Sequence, residues 1–261
     1  MRSRKIERIF TADVPRVFDE HARSYDKLVG VNPGYHDHLR LSVRRMGLPG
    51  RGVGLRLLDI GCGTGASTAA LLDAAPEAEI IAVDASWEML AEAKRKIWPA
   101  RVRFVLGTVE ELDQAKITGP FDGILAAYLL RNLGDRNAAL RLFRELLKPG
   151  APLAVHDYSV RDSLRSRMIW TAVCWAIIIP LSRIRTGSSD LYRYLWRSVL
   201  GFDGVIALSA RMRAVGFADV RAQTVPGWQH SIVHTFLGRR PGGDPPPDDD
   251  VTPPTGIPIR G

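Results

Sequence analysis

The stretch Leu57-Leu58-Asp59-Ile60-Gly61-Cys62-Gly63-Thr64-Gly65 constrains this chain more than any other. A short apolar run, Leu55 to Ile60, enters a turn with glycine at every second position, and Ala66–Ala74 follows as a helix. Glycines in such a turn permit positive φ and let a ligand approach the backbone closely. Further units repeat the pattern. Strands are expected at Ile80–Val83, Val102–Leu106, Phe121–Ala127 and Leu153–Tyr158. Between them lie helices at Trp87–Ile97, capped by Ser86, and from Asp135 through Leu147, whose Leu140, Phe143 and Leu147 share one face. Apolar strands alternating with helices build a parallel sheet covered on both faces. Ligands on such sheets bind beyond the carboxyl ends of the strands, near the switch point.

The 261 residues suit a single α/β domain, and 46% hydrophobic content supports a full core. Residues 1–50 read as N-terminal helices covering the cleft, one at Asp13–Leu28 and one at His36–Met46. Residues 51–160 form the Rossmann-like core, and 161–203 an apolar and basic lid insertion ending in a helix from Ser189 to Val199. Residues 204–240 supply a helix (Val205–Val215) and two closing strands, Val220–Val225 and Trp228–Leu237. The tail, 241–261, is rich in Pro and Asp and buries too little apolar surface to offset the cost of ordering it.

The formal charge of +8 implies an affinity for anions, or simply an Arg-rich surface. RNA recognition calls for interleaved aromatic and basic residues or an added module; neither is present, so no nucleic-acid partner is expected. Cys62 and Cys174 have neither metal-type nor disulfide-framework spacing, and no metal is expected. The basic start of the chain lacks the apolar run of a signal peptide, so a cytoplasmic protein is expected. The apolar segment Met168–Leu181 would rise only ~21 Å as a helix, short of the ~30 Å hydrocarbon core, and is not expected to span a membrane. Arg161, Arg165 and Arg167 precede it, and Arg183 and Arg185 follow. Basic flanks and tryptophans suit peripheral membrane contact through 161–185; a lid helix packed on the sheet is the alternative.

The glycine turn favours S-adenosylmethionine (SAM) over a nicotinamide dinucleotide, although Gly61-x-Gly63-x-x-Ala66 fits both fingerprints. Asp59 at the end of the first strand would repel a pyrophosphate, whereas SAM carries an ammonium and a sulfonium and no phosphate. Asp84 ends the next strand, where a carboxylate takes both ribose hydroxyls of either cofactor. An empty tight turn remains the bland reading, and the dinucleotide the sharp one.

Beyond the turn, several segments stand out: Val17-Phe18 with Ala22 and Tyr25-Asp26; Val83-Asp84-Ala85-Ser86-x-x-Met89-Leu90; Tyr128-Leu129-Leu130-Arg131-Asn132-Leu133-Gly134-Asp135; Leu146-Leu147-Lys148-Pro149-Gly150; Asp157-Tyr158-Ser159; and Tyr192-Arg193-Tyr194-Leu195-x-x-Ser198. Together with the turn they resemble the ubiquinone/menaquinone-biosynthesis C-methyltransferases, a group within the class I SAM-dependent methyltransferases. The resemblance runs from about Val17 to Gly238. It implies an α/β Rossmann-like class I methyltransferase fold, with a seven-stranded, mostly parallel sheet, helices on both faces and the last strand antiparallel. It further implies Tyr25, Asp59, Gly61, Gly63, Thr64, Gly65, Asp84, Ala85, Thr108, Val109 and Ala127 around the cofactor. Thr108 stands where the family commonly has Asp or Asn, Ala127 where Ser is usual, and Leu129 where the signature has glycine.

C-methylation of a quinol-like aromatic needs an adjacent phenolate, because a ring carbon is otherwise a poor nucleophile. A phenol near pKa 10 ionises there only with a base or a stabilising cation. Arg131 and Asn132, just beyond the fourth strand, are placed to hold that oxygen directly or through water; for Arg131 a surface role flanking a helix is the alternative. His156 and Asp157 alternate on the fifth strand, so one faces the cleft, and Asp157 is the expected one. His234 reads as a packed structural histidine, with acceptor contact as its second reading. The expected partner is a small lipophilic acceptor. O- or N-methylation of another lipophilic metabolite, and a SAM-binding regulatory or RNA-modifying protein, are the competing functions. The oligomeric state is not legible.

Overall fold

The computed structural model describes residues 34–186 and 190–242, with Asp19 and Asn32 before them. Apart from Asp19, the expected helix at Asp13–Leu28, with Tyr25 in it, and the tail beyond Gly242 lie outside the described residues.

Helix α1 (Tyr35–Met46) precedes the repeating units: β1 (Arg56–Ile60), α2 (Ala66–Ala74), β2 (Glu79–Asp84), α3 (Trp87–Lys94), β3 (Val102–Leu106), β4 (Gly123–Ala127), α4 (Arg136–Leu146) and β5 (Pro152–Tyr158). Ser86 caps α3 through the Met89 amide at 3.1 Å, and Asp135 caps α4 through Ala138 at 2.9 Å, as their residue types predict. Helix α3 stops at Lys94, one turn short of the expected Ile97: the Trp98 indole takes the Ala93 carbonyl at 2.8 Å and turns the chain away.

Seven strands form one sheet in the order β3-β2-β1-β4-β5-β7-β6, with β6 at Ala218–Thr224 and β7 at Val233–Arg239. All pairs are parallel except those of β7, which runs antiparallel to β5 and β6. After β3 the chain crosses back to the far side of β1, so β1 and β4 are neighbours with opposite windings. Their carboxyl ends flank the switch point, where such sheets open a crevice.

Strand periodicity sends alternate side chains to two separate cores. Leu57, Leu125, Ala154, Tyr158 and Val233 pack under α1 and α2; Leu58, Ile124, Val155 and Phe236 pack on the other face with Phe143 and Met212. The predicted strand Trp228–Leu237 begins late. Gly227–Gln229 is a 3₁₀ turn, because Gly227 takes φ 80° and the Ser231 amide is drawn back to the Thr224 hydroxyl at 2.7 Å.

The lid differs most from its sequence reading. The apolar segment belongs to one continuous helix: α5 (Leu164–Val173), a π turn (Cys174–Ile178) and α6 (Ile179–Thr186). Its apolar span covers Leu164–Arg183, 20 residues and ~30 Å. The length argument against spanning therefore fails, since Ser163 caps the helix before the apolar run begins. One line of this helix is packed into the domain. Ser166, Trp170 and Cys174 recur at every fourth residue, and the π turn inserts one residue so that Ile179 and Ser182 stay on the buried side. Helix α7 (Asp190–Gly201) lies against it, and α8 (Val205–Ala214) returns to the sheet.

Candidate active site

Two turns leave the neighbouring carboxyl ends of β1 and β4 and face each other across the switch point. In the first, Gly61, Gly63 and Gly65 all take positive φ (75°, 55° and 91°), so the alternation read from the sequence is a backbone requirement. A Cβ on Gly61 would lie 3.0 Å from Leu129 of the opposite turn, and one on Gly65 would lie 2.8 Å from the Trp98 ring. At Gly63 a Cβ would meet nothing within 4 Å. Gly61 and Gly65 are thus glycines for packing, whereas Gly63 presents bare backbone to open space.

That space is a cleft of about 530 Å³. Of the expected site residues, Gly61, Gly63, Thr64, Asp84, Ala85, Thr108, Val109, Ala127, Arg131 and Asn132 line it. Asp59, Gly65 and Asp157 stand behind the wall, and Tyr25 lies outside the described residues. Asp84 Oδ2 accepts the Gly63 amide at 2.7 Å and Oδ1 the Ser86 amide at 2.9 Å, which ties the end of β2 to the glycine turn. Burial raises the Asp84 pKa, opposed by those two amides. Asp59 is fully buried, accepting the Ser67 and Thr68 hydroxyls at 2.8 and 2.6 Å on Oδ2, and burial pushes its pKa up to about 7.

The second turn begins with Tyr128, whose φ of 56° is rare for a side chain of this size. This bend turns its carbonyl inward, where Arg131 donates from Nη1 at 2.9 Å and Asn132 from Nδ2 at 3.2 Å. Arg131 also donates from Nη1 to Asp157 Oδ1 at 2.6 Å, both side chains buried. Burial opposes the Arg131 charge, but its acidic neighbours, Asp157 foremost, together outweigh it and the guanidinium pKa is raised. Its plane lies over the rings of Tyr128 and Tyr158, 5.7 and 5.8 Å from their centroids. Arg131 Nε is buried and has no hydrogen-bond partner among the described residues.

His156 points to the other face of β5, as alternation requires. It contacts the Tyr128 hydroxyl at 3.3 Å and Thr235 Oγ1 at 3.1 Å, and burial lowers its pKa to about 3. His234, opposite Asp157 on β7, is likewise held neutral by burial, its pKa lowered to about 4.

Sequence reasoning passed over three aromatic residues. Tyr35 stacks on Tyr128 at 5.5 Å and lines the cleft, and Tyr194 of α7 donates its hydroxyl to Asn132 Oδ1 at 2.9 Å. Tyr128 and Tyr194 stood in the quoted motifs without a role; Tyr35 carried no signal.

Solved structures with this fold host varied chemistry. The [4+2]-cyclase SpnF superposes with a TM-score of 0.65 at 18% identity, covering 90% of this chain and 97% of its own. Phosphoethanolamine N-methyltransferase 2 from Haemonchus contortus gives 0.64 at 17%, covering 89% of this chain and 60% of its own. Those likenesses show the fold alone. The decisive comparison is with a family model: the ubiE/COQ5 methyltransferase family matches residues 5–235.

The chain belongs to the ubiE/COQ5 methyltransferase family.

Curated relatives agree. A ubiquinone/menaquinone biosynthesis C-methyltransferase UbiE from Syntrophotalea carbinolica is 34% identical over 234 residues, spanning 87% of this chain and 94% of that protein. A demethylmenaquinone methyltransferase from a Parafrankia strain is 29% identical over 256 residues, spanning 88% and 95%. As a member of this family the chain is a SAM-dependent methyltransferase. Leu129 packs its side chain against Gly61 across the two turns.

Proposed function

We propose that this enzyme methylates a ring carbon of a demethylmenaquinol-like quinol, with SAM held in the cleft beyond β1 and the acceptor hydroxyl ionised against Arg131. The curated relatives supply the substrate class. The observation that carries the chemistry is Arg131: a buried, charged guanidinium on the cleft wall with its Nε–H unspent.

Among the described residues the charged side chains lining the cleft are Asp84, Glu110 and Arg131, and Arg131 is already neutralised by Asp157. That balance suits a cationic ligand and opposes a diphosphate. Bare backbone at Gly63 and the carboxylate of Asp84 fit the amino-acid end and the ribose of SAM respectively. Bound there, SAM supplies an electrophilic methyl group on sulfur. The chain's own contribution is to align, to exclude water and to stabilise the acceptor anion. Arg131 favours the ionised hydroxyl, which pushes electron density onto the neighbouring ring carbon. Asp157 keeps Arg131 aimed, and neutral His156 fixes the Tyr128 wall without competing for the proton. Thr108, facing the cleft, is committed to Glu111 at 3.1 Å, which leaves adenine to other contacts in the place where the family commonly has an acid or amide.

The lid helix suits a substrate with a lipid tail. Its outward side exposes Leu164, Met168, Trp175 and Ile177, with Arg161, Arg165 and Arg167 at one end and Arg183 at the other. With Trp170 and Cys174 packed inward, this face is positioned to lie on an anionic membrane rather than to cross it. Flotation with vesicles containing phosphatidylglycerol tests the contact: co-flotation is expected, and none for the folded enzyme would remove it.

Incubation with demethylmenaquinol and SAM bearing a CD₃ group tests the reaction. Mass spectrometry should find the label on a ring carbon. Label on oxygen, or none with SAM bound, would refute C-methylation.

A further inference from the structure

The side chain of Asn132, on the cleft wall, is gripped at both ends. Its Nδ2 donates to the Tyr128 carbonyl at 3.2 Å, and its Oδ1 accepts the Tyr194 hydroxyl at 2.9 Å, 62 residues away in sequence. A carboxamide is nearly symmetric in shape, so only its hydrogen bonds decide which way round it sits. Here the two bonds agree. Flipping it would set two carbonyl oxygens against each other at Tyr128. In the observed orientation Nδ2 spends one N–H on Tyr128, and no described residue takes the other.

Next to it in the chain is Arg131, a buried cation that also lines the cleft. Asn132 therefore offers a donor beside a fixed positive charge, the arrangement that stabilises a developing oxyanion. The arginine is aimed by Asp157. The asparagine is aimed by Tyr194.

The construction of α7 shows how the tyrosine is held. Trp196 donates from Nε1 to Thr171 Oγ1 of the lid helix at 3.2 Å and packs edge-on against Trp175 at 5.6 Å. Val199, further along, is fully buried. Tyr194 lies two residues before Trp196, about 200° around the helix, so anchoring the tryptophan to the lid turns the tyrosine toward the β4 turn. Burial raises the Tyr194 pKa, which keeps its hydroxyl protonated and donating.

We infer that Tyr194 is a positioning residue: its hydroxyl orients Asn132 so that the amide's second N–H receives the ionised oxygen of the acceptor beside the Arg131 guanidinium. This rests on the proposed C-methylation and adds the second donor and the residue that aims it.

The test is a double-mutant cycle read as pH profiles of kcat with the quinol acceptor, using Tyr194→Phe, Asn132→Ala and the pair. Tyr194→Phe keeps the ring and loses only the hydroxyl. It should lower kcat about tenfold, the loss of roughly one hydrogen bond to the anion. It should also move the ionisation limb of the profile to higher pH, and leave the KM for SAM unchanged. In the Asn132→Ala background the same substitution should change nothing further. An unshifted profile for Tyr194→Phe, or an equal loss in both backgrounds, would overturn the inference. If Asn132→Ala and Arg131→Lys themselves leave the profile where wild type has it, the underlying reading of the site falls as well. If those two shift it and Tyr194→Phe does not, only the role of Tyr194 falls.

Discussion

Arg131 and Asp157 form a buried ion pair, Nη1 to Oδ1 at 2.6 Å, between the turn after β4 and the last residues of β5. The carboxylate occupies one edge of the guanidinium and the Tyr128 carbonyl shares it, which leaves Nε on the opposite side.

Arg131→Lys tests that reading without removing the charge. A lysine can still meet Asp157 but lacks the fork that serves carboxylate and acceptor together. Turnover with the quinol should fall about 10²–10³-fold, about 2.7–4 kcal/mol of transition-state stabilisation, while SAM affinity changes little. Steady-state kinetics beside SAM calorimetry separates the two. Arg131→Ala is the less informative variant, because stranding Asp157 in the core costs about 3–5 kcal/mol of stability.

Thr108→Asn should improve cofactor binding. Thr108 lines the cleft and donates to Glu111 at 3.1 Å; an asparagine can keep that donation from Nδ2 and offer Oδ1 to the adenine amino group. One added hydrogen bond is worth ~1.4 kcal/mol, about a tenfold lower Kd for SAM by calorimetry. An unchanged or weaker affinity would mean that adenine does not lie beside Thr108.

His156 makes the fold acid-sensitive. Its pKa is lowered to about 3 by burial, against 6.5 when unfolded, so the unfolded chain binds the extra proton between those values. Stability from this group is therefore complete above pH 6.5 and falls as the pH drops toward 3, by about 2 kcal/mol at pH 5. Asp59, raised to about 7, acts with the opposite sign over pH 4 to 7, so wild type alone does not isolate the effect. The comparison is with His156→Gln in urea titrations. The stability difference between the two proteins should shrink by that amount from pH 7.5 to 5; a constant difference would mean the histidine is already solvated.

The fold was readable because each unit carries its own local signals. Alternating glycines after an apolar run, Ser86 and Asp135 as caps, and unbroken apolar strands locate six of seven strands to within two residues. The lid was misjudged because a window of uniformly apolar residues hides its ends: Ser163, the capping residue, lies outside the run, and a π turn leaves no mark in composition. Within the site, residues on the turns were legible from motifs. Asp59 was given the cleft rim, yet Ser67 and Thr68 hold it behind the wall, a distinction that needs the third dimension. Tyr35 and Tyr194 act across long sequence separations, and no local pattern encodes that.

The central claim is that the glycine turn and Asp84 hold a sulfonium donor. Calorimetric titration of the wild-type enzyme and of Asp84→Asn with SAM and with NAD tests it directly. SAM should bind wild type at one site, NAD should not, and Asp84→Asn should weaken SAM roughly tenfold or more through the ribose contacts it loses. Binding of NAD without SAM, or unaltered SAM binding to Asp84→Asn, would contradict the account.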